Sequence, residues 1–240
     1  MLLEVCANSY QSAINAQEAG AHRIELCSEL AVGGITPSYG LIKQVVKALS
    51  IPVYVLIRPK SGRFTYTKED IAIIKQDIEM CKRLGCKGIV SGILNADNSV
   101  DVEQTKILVE LSKPLDFTFH RAFDWVPNPK EALQQLIEIG VNRVLTSGQQ
   151  TSAEKGMALL SELHALSKGA IEILPGGGIN SGNAALFKQA GFTEIHVSAT
   201  TIEVMDEQPK VPMNSIRFFD DAVTCYSDKR IIKDILKAVE

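Results

Sequence analysis

At 240 residues, with 45% hydrophobic and 22% charged side chains, the chain has the make-up of a globular protein long enough to bury a core without staples. A net charge of −3 gives no electrostatic reason to expect nucleic acid or an anionic membrane as partner, and no apolar run reaches the ~18 residues of a membrane helix. Five cysteines, an odd number, behind a start without a leader pattern, point to reduced thiols in a cytoplasm rather than a disulfide framework.

In chain order, short apolar runs alternate with amphipathic stretches. Strands are expected at 2–6, 23–27, 53–58, 87–91, 116–120, 143–147, 171–174 and 194–198, each rich in Val, Ile, Leu or Phe, as for strands buried on both faces. Between them, Thr67-Lys-Glu-Asp70 reads as a capping box with Asp in place of the usual Glu or Gln. It leads into Ile71, Ile74, Ile78 and Cys81 on one helix face. Pro37, Asn128-Pro129 and Asn180-Ser181 read as helix starts, and Gly20, Gly85, Gly140 and Gly191 as left-handed helix ends. Helix, glycine, strand recurs in EAGAHRIEL, RLGCKGIV, EIGVNRVL and QAGFTEIHV, the mark of βα units.

Eight such units predict a single domain over 1–240, a TIM-type (β/α)8 barrel of the α/β class. A C-terminal polar loop from about 199, with Pro209 and Pro212, and a closing helix at 228–239 complete it. An open doubly wound sheet is the alternative. It usually carries G-x-G-x-x-G after its first strand, where this chain has Cys-Ala-Asn-Ser-Tyr.

Alternation along the strands divides their faces. Leu3 and Val5, Ile24 and Leu26, Val53, Val55 and Ile57, Phe117 and Phe119, and Ile195 and Val197 should pack outward on helices. Glu4, Cys6, Arg23, Glu25, Cys27, Tyr54, Leu56, Arg58, Thr118, His120, Glu194, His196 and Ser198 then point inward. Barrel interiors are normally layers of Val, Ile and Leu. So polar a lumen is either a neutralised ion-pair plug or a working site.

Glu4, Glu25, His120 and Asp124 are the candidates for acid–base catalysis, with the two glutamates on adjacent strands able to split their pKa values. Arg58, Arg121, Ser198 and the run Gly176, Gly177, Gly178 are the candidates for holding a carboxylate or phosphate, because the loops after strands seven and eight commonly do so in barrels. Against this, Arg121 and Asp124 also read as a local salt bridge, and a glycine run as a tight turn. Cys6 and Cys27 end adjacent strands, close enough for two thiols to meet, and thiolates suit Cu(I). A buried cysteine is also an ordinary small hydrophobe, which is how Cys81 and Cys86 read.

Arg23-Ile-Glu-Leu-Cys27, Gly33-Gly-Ile-Thr-Pro-Ser38, Ile57-Arg-Pro59, Phe119-His-Arg-Ala-Phe-Asp124, Leu145-Thr-Ser-Gly148 and Pro175-Gly-Gly-Gly178 together resemble the CutC copper-homeostasis family. The resemblance implies a TIM-type barrel, a cytoplasmic location, dimers or tetramers, and a role in copper tolerance with Cu(I) at Cys6 and Cys27. Two functions are therefore expected: a copper-homeostasis protein whose partner is the copper ion, or an enzyme acting on a small anionic metabolite. A non-catalytic scaffold is a third.

Overall fold

The computed structural model describes residues 1–204, 210–211, 213–214 and 220–240. Its framework is eight parallel strands with a helix after each of the first seven. These are β1 (Leu2–Ala7), α1 (Tyr10–Ala19), β2 (Arg23–Leu26), α2 (Tyr39–Ala48), β3 (Val53–Leu56), α3 (Lys68–Leu84), β4 (Gly88–Ser91) and α4 (Val102–Ser112). There follow β5 (Asp116–Phe119), α5 (Pro129–Glu138), β6 (Arg143–Thr146), α6 (Met157–Ser167), β7 (Glu172–Pro175), α7 (Ala184–Gln189) and β8 (Glu194–Val197). The sheet order is β7-β6-β5-β4-β3-β2-β1-β8. Closure between β7 and β8 is a single parallel bridge, Gly176 to His196.

All eight expected strands are present, within a residue or two of the expected bounds. The faces follow the alternation. Leu3, Val5, Ile24, Leu26, Val55, Phe117, Phe119, Ile195 and Val197 join the large apolar cluster between strands and helices, while Cys6, Cys27, Tyr54, Leu56 and Val90 form a separate, small cluster inside the lumen. Burying each large aliphatic or aromatic side chain of the outer layer contributes ~1.5–3 kcal/mol, so this layer holds the barrel together. Cys81 and Cys86 lie in it as packing residues.

The helix signals hold in most places. Thr67 caps α3 with its side chain on Asp70 N–H, and the shorter Asp70 still reaches back to Thr67 N–H at 3.0 Å. Pro129 occupies the first turn of α5, and Gly20, Gly85, Gly140 and Gly191 all have positive φ. Two starts are displaced. The cap of α2 is Ser38, which leaves Pro37 outside the helix, and α7 begins at Ala184 because Asn180 folds its side chain onto Gly182 N–H at 2.8 Å, building a turn instead.

The tail also differs from the expected polar loop. β9 (Thr200–Val204) and β10 (Val223–Ser227) pair antiparallel, and α8 (Lys229–Ala238), capped by Asp228, closes the chain. Pro209 and Pro212 lie outside the described residues. The hairpin is tied to the barrel by Asn8 Nδ2 and Asn15 Nδ2, which donate to Cys225 O and Ser227 O at 3.0 Å each. Ser227 Oγ donates to Cys6 O at 3.1 Å.

Candidate functional site

The lumen is filled in two layers. The lower layer is an ion-pair plug. Arg23 donates through Nε to Glu4 and through Nη2 to Glu194 Oε2 at 2.5 Å. Arg143 lies 3.3 Å from the same Glu194 oxygen and donates to Asp116 Oδ2 and to the Tyr54 hydroxyl, both at 3.2 Å. The Tyr54 ring lies between the two guanidiniums, whose carbons are 4.7 Å (Arg23) and 5.2 Å (Arg143) from its centroid. Charges removed from water cost several kcal/mol each unless paired, and here each arginine meets two carboxylates.

The plug has room for Tyr54 only because Gly88, opposite it on β4, carries no side chain: a Cβ there would lie 2.4 Å from the ring. Gly88→Ala is therefore expected to destabilise the protein by ~1–3 kcal/mol through overpacking. Denaturant unfolding checks this; a midpoint equal to that of the parent would show that the ring can move aside without loss.

Above the plug sit the reactive groups. Glu4 is fully buried, and its second oxygen lies 2.7 Å from His196 Nδ1. Burial pushes the Glu4 carboxyl up, but Arg23 and His196 outweigh it and hold the group at about 2. His196 is held well above the usual imidazole range: burial opposes the charge, while contacts with Cys6 and Glu4 and the nearby Glu25 carboxylate favour it. Burial lifts Glu25 to about 7, with the Glu4 charge adding to the rise and His196 opposing it. Cys6 Sγ lies 3.5 Å from Cys27 Sγ, and that contact, with burial, pushes the Cys6 thiol up. Ligand atoms of Cys6, Glu25 and His196 all fall within 4.8 Å of one another.

These groups form the floor of a cavity of about 230 Å³ at the carboxyl end of the strands. Of the candidate residues, Cys6, Glu25, Arg58, His120, Arg121, Gly177, Gly178 and Ser198 line it, together with an apolar wall that includes Leu30, Leu56, Phe64 and Leu145. The others have different places. Glu4 lies beneath the cavity with both oxygens engaged, so it fixes His196 and Arg23 and remains ionised instead of exchanging protons near neutral pH. Gly176 is inside the strand ladder, its N–H on Thr146 O. Cys27 sits behind Cys6, fully buried.

Asp124 does not face the cavity. Its carboxylate accepts from Arg121 Nε, Thr146 Oγ1 and the backbone N–H groups of Ser147 and Gln149, so it ties the loop after β5 to the loop after β6. Arg58 is also largely committed: Nη1 donates to Val32 O and Gly34 O, and Nη2 to Gly62 O, pinning two loops. His120 is no base at neutral pH. Burial, then the Arg58 charge, hold it down to about 3.

Sequence reasoning placed His196 in the lumen without a role and did not assign faces to β4, β6 and β7, which left out Arg143. The signal was available: Arg143 opens its strand at the level of Glu172 and Thr118.

The chain matches the CutC family model over residues 1–201. It is 46% identical over 200 residues to a family protein CutC of Photorhabdus laumondii, covering 83% of this chain and 80% of that one. It is 46% identical over 199 residues to the mouse copper homeostasis protein cutC homolog, covering 82% and 73% respectively. A solved structure of CutC from Streptococcus agalactiae matches with a TM-score of 0.79 at 32% identity, over 82% of this chain and 98% of that one.

Proposed function

Because this chain belongs to the CutC family, we propose that it takes part in copper homeostasis by binding Cu(I) between Cys6 and Cys27. The observation that carries this reading is the 3.5 Å approach of the two sulfurs, Cys6 at the floor of the cavity and Cys27 buried behind it. Thiolates are soft donors matched to Cu(I), and the cavity gives Cys6 a path to solvent. The metal must displace the thiol proton on Cys6, so binding weakens as pH falls. Glu25 and His196 stand close enough to Cys6 to add a further donor after modest movement.

The reading includes a reducing, cytoplasmic setting, consistent with five cysteines free of disulfides and with no helix long and apolar enough to cross a membrane among the described residues. It also includes a homo-oligomer, consistent with Ile202 and Val204 standing 67% and 63% exposed on the hairpin.

The test is a titration of reduced, metal-free protein with Cu(I) against a competing chelator. The parent should take up close to one equivalent, and Cys6→Ser combined with Cys27→Ser should lose it while the far-ultraviolet spectrum stays unchanged. Equal uptake by both would remove the thiols from the account. Acid–base chemistry on a small anion is the second reading. It loses Glu4 and Asp124 to the contacts described above and retains Glu25, which lines the cavity.

A further inference from the structure

The cavity above the thiols presents polar atoms for which the protein supplies no partner. Ala122 N–H donates to His120 Nδ1 at 3.2 Å, so Nδ1 is the acceptor and the neutral ring carries its proton on Nε2. That Nε2–H is buried and unpaired. Glu25 Oε2 is buried without a hydrogen bond as well, with His196 Nδ1 4.0 Å away. Both residues line the cavity, and each is only 5% exposed. Arg58 lines it too, its guanidinium in contact with the Tyr66 hydroxyl. Native interiors rarely leave such groups unsatisfied, since each costs ~1–3 kcal/mol. Two such groups converging on one cavity, from β2 and from the turn after β5, make a ligand the simplest explanation.

The arrangement also states what the ligand carries. His120 and Arg58 both pack on Phe64, with the two rings 4.8 Å apart and the guanidinium carbon 5.0 Å from the Phe64 centroid, so one wall offers an N–H donor and a positive charge. Arg121 adds a second charge at the rim: Nε and Nη2 are engaged by Asp124 and Ser147, while Nη1 lies 3.4 Å from where a side chain on Gly177 would begin. Glu25 offers an acceptor. Leu30, Leu56, Leu145 and Val197 supply apolar surface. The cavity, about 230 Å³, has room for a small organic acid.

We propose that this cavity binds a small 2-hydroxy-carboxylate. Its carboxylate takes the Nε2–H of His120 under the charges of Arg58 and Arg121, its hydroxyl donates to Glu25, and its short apolar chain lies against the leucines. This goes beyond the copper reading and does not depend on it.

The probe is 2-hydroxyisocaproate, both enantiomers, titrated into reduced, metal-free protein by calorimetry, while the ¹⁵N resonance of His120 Nε2 is followed. Isocaproate, which lacks the hydroxyl, and inorganic phosphate are the comparisons. Saturable binding of one enantiomer is expected, at least tenfold tighter than isocaproate, with a shift at His120 Nε2. His120→Phe should weaken it about tenfold or more, while Lys233→Gln, at an exposed position of α8, should bind as the parent does. Copper is absent from this titration, so failure of the copper reading and failure of this one give different patterns. No saturable binding, equal affinity for isocaproate, preference for phosphate alone, or an unmoved Nε2 resonance would each overturn the proposal. The resonance is read on the parent protein and decides the matter even if His120→Phe does not fold.

Discussion

Arg23→Met is expected to lower the unfolding midpoint of the metal-free protein by roughly 10 °C. Arg23 is the hub of the plug, holding Glu4 with one nitrogen and Glu194 with another, at 3% exposure. Removing one partner of a buried ion pair costs ~3–5 kcal/mol because the orphaned charge stays behind, and here two carboxylates lose a partner at once. At this chain length each kcal/mol moves the midpoint by ~2–4 °C. Thermal unfolding at neutral pH measures the loss. Adding Glu194→Gln to Arg23→Met should recover part of it, since one orphaned carboxylate is removed and Arg143 keeps Asp116. No recovery would show that the packing of the arginine stem, and not its charge, stabilises the barrel.

Glu25→Gln is expected to act in the opposite direction and only above the acid range. A carboxyl lifted to about 7 in the folded protein gives up its proton in the unfolded chain near 4.5. Stability therefore falls as pH rises between those values and stays reduced above them, by on the order of 3 kcal/mol. Glu4 has the reverse sign: held at about 2, it contributes stability above pH 4.5 that is lost as pH falls toward 2. The Glu25→Gln variant should then melt several degrees above the parent at pH 8 and level with it near pH 4. A shift of equal size at both pH values would mean that the substitution acts by packing. Glu25 is thus a residue that costs the fold stability at neutral pH, as expected of a group kept for binding or chemistry.

The fold was legible in the sequence because burial on both faces forces a strand to be apolar in a way that period-2 alternation exposes. Leu3 and Val5 against Glu4 and Cys6 is the plainest case, and the structure separates those faces into two clusters. The hairpin of β9 and β10 was not legible. It packs on one side only, leaves Ile202 and Val204 exposed, and begins with two threonines, so its composition is that of a loop. Within the site, residue types and their height along each strand indicated which side chains share the lumen. What those side chains are bonded to was hidden. Asp124 makes the local salt bridge to Arg121 that the sequence offered, but it also accepts from backbone N–H groups of the next loop, and Arg58 donates to loop carbonyls that no side-chain pattern announces. His120 was identified as polar and inward, but its tautomer follows from the amide of Ala122, two residues on, once the strand has turned into the short 3-10 helix Arg121–Trp125.

The single bridge between Gly176 and His196 gives the barrel the mechanics of a clasp. Six of its seams are sewn by ladders of three or four residue pairs, the β5–β6 seam by two, and the β7–β8 seam by one link. A split ring yields at its split, so local opening is expected first between β7 and β8, which amide hydrogen exchange would read. Gly177 and Gly178 stand on one side of that gap, and His196 and Ser198 on the other, and all four line the cavity. Whatever fills the lumen therefore lies across the fastening, and the molecule is stiffest when the clasp holds something.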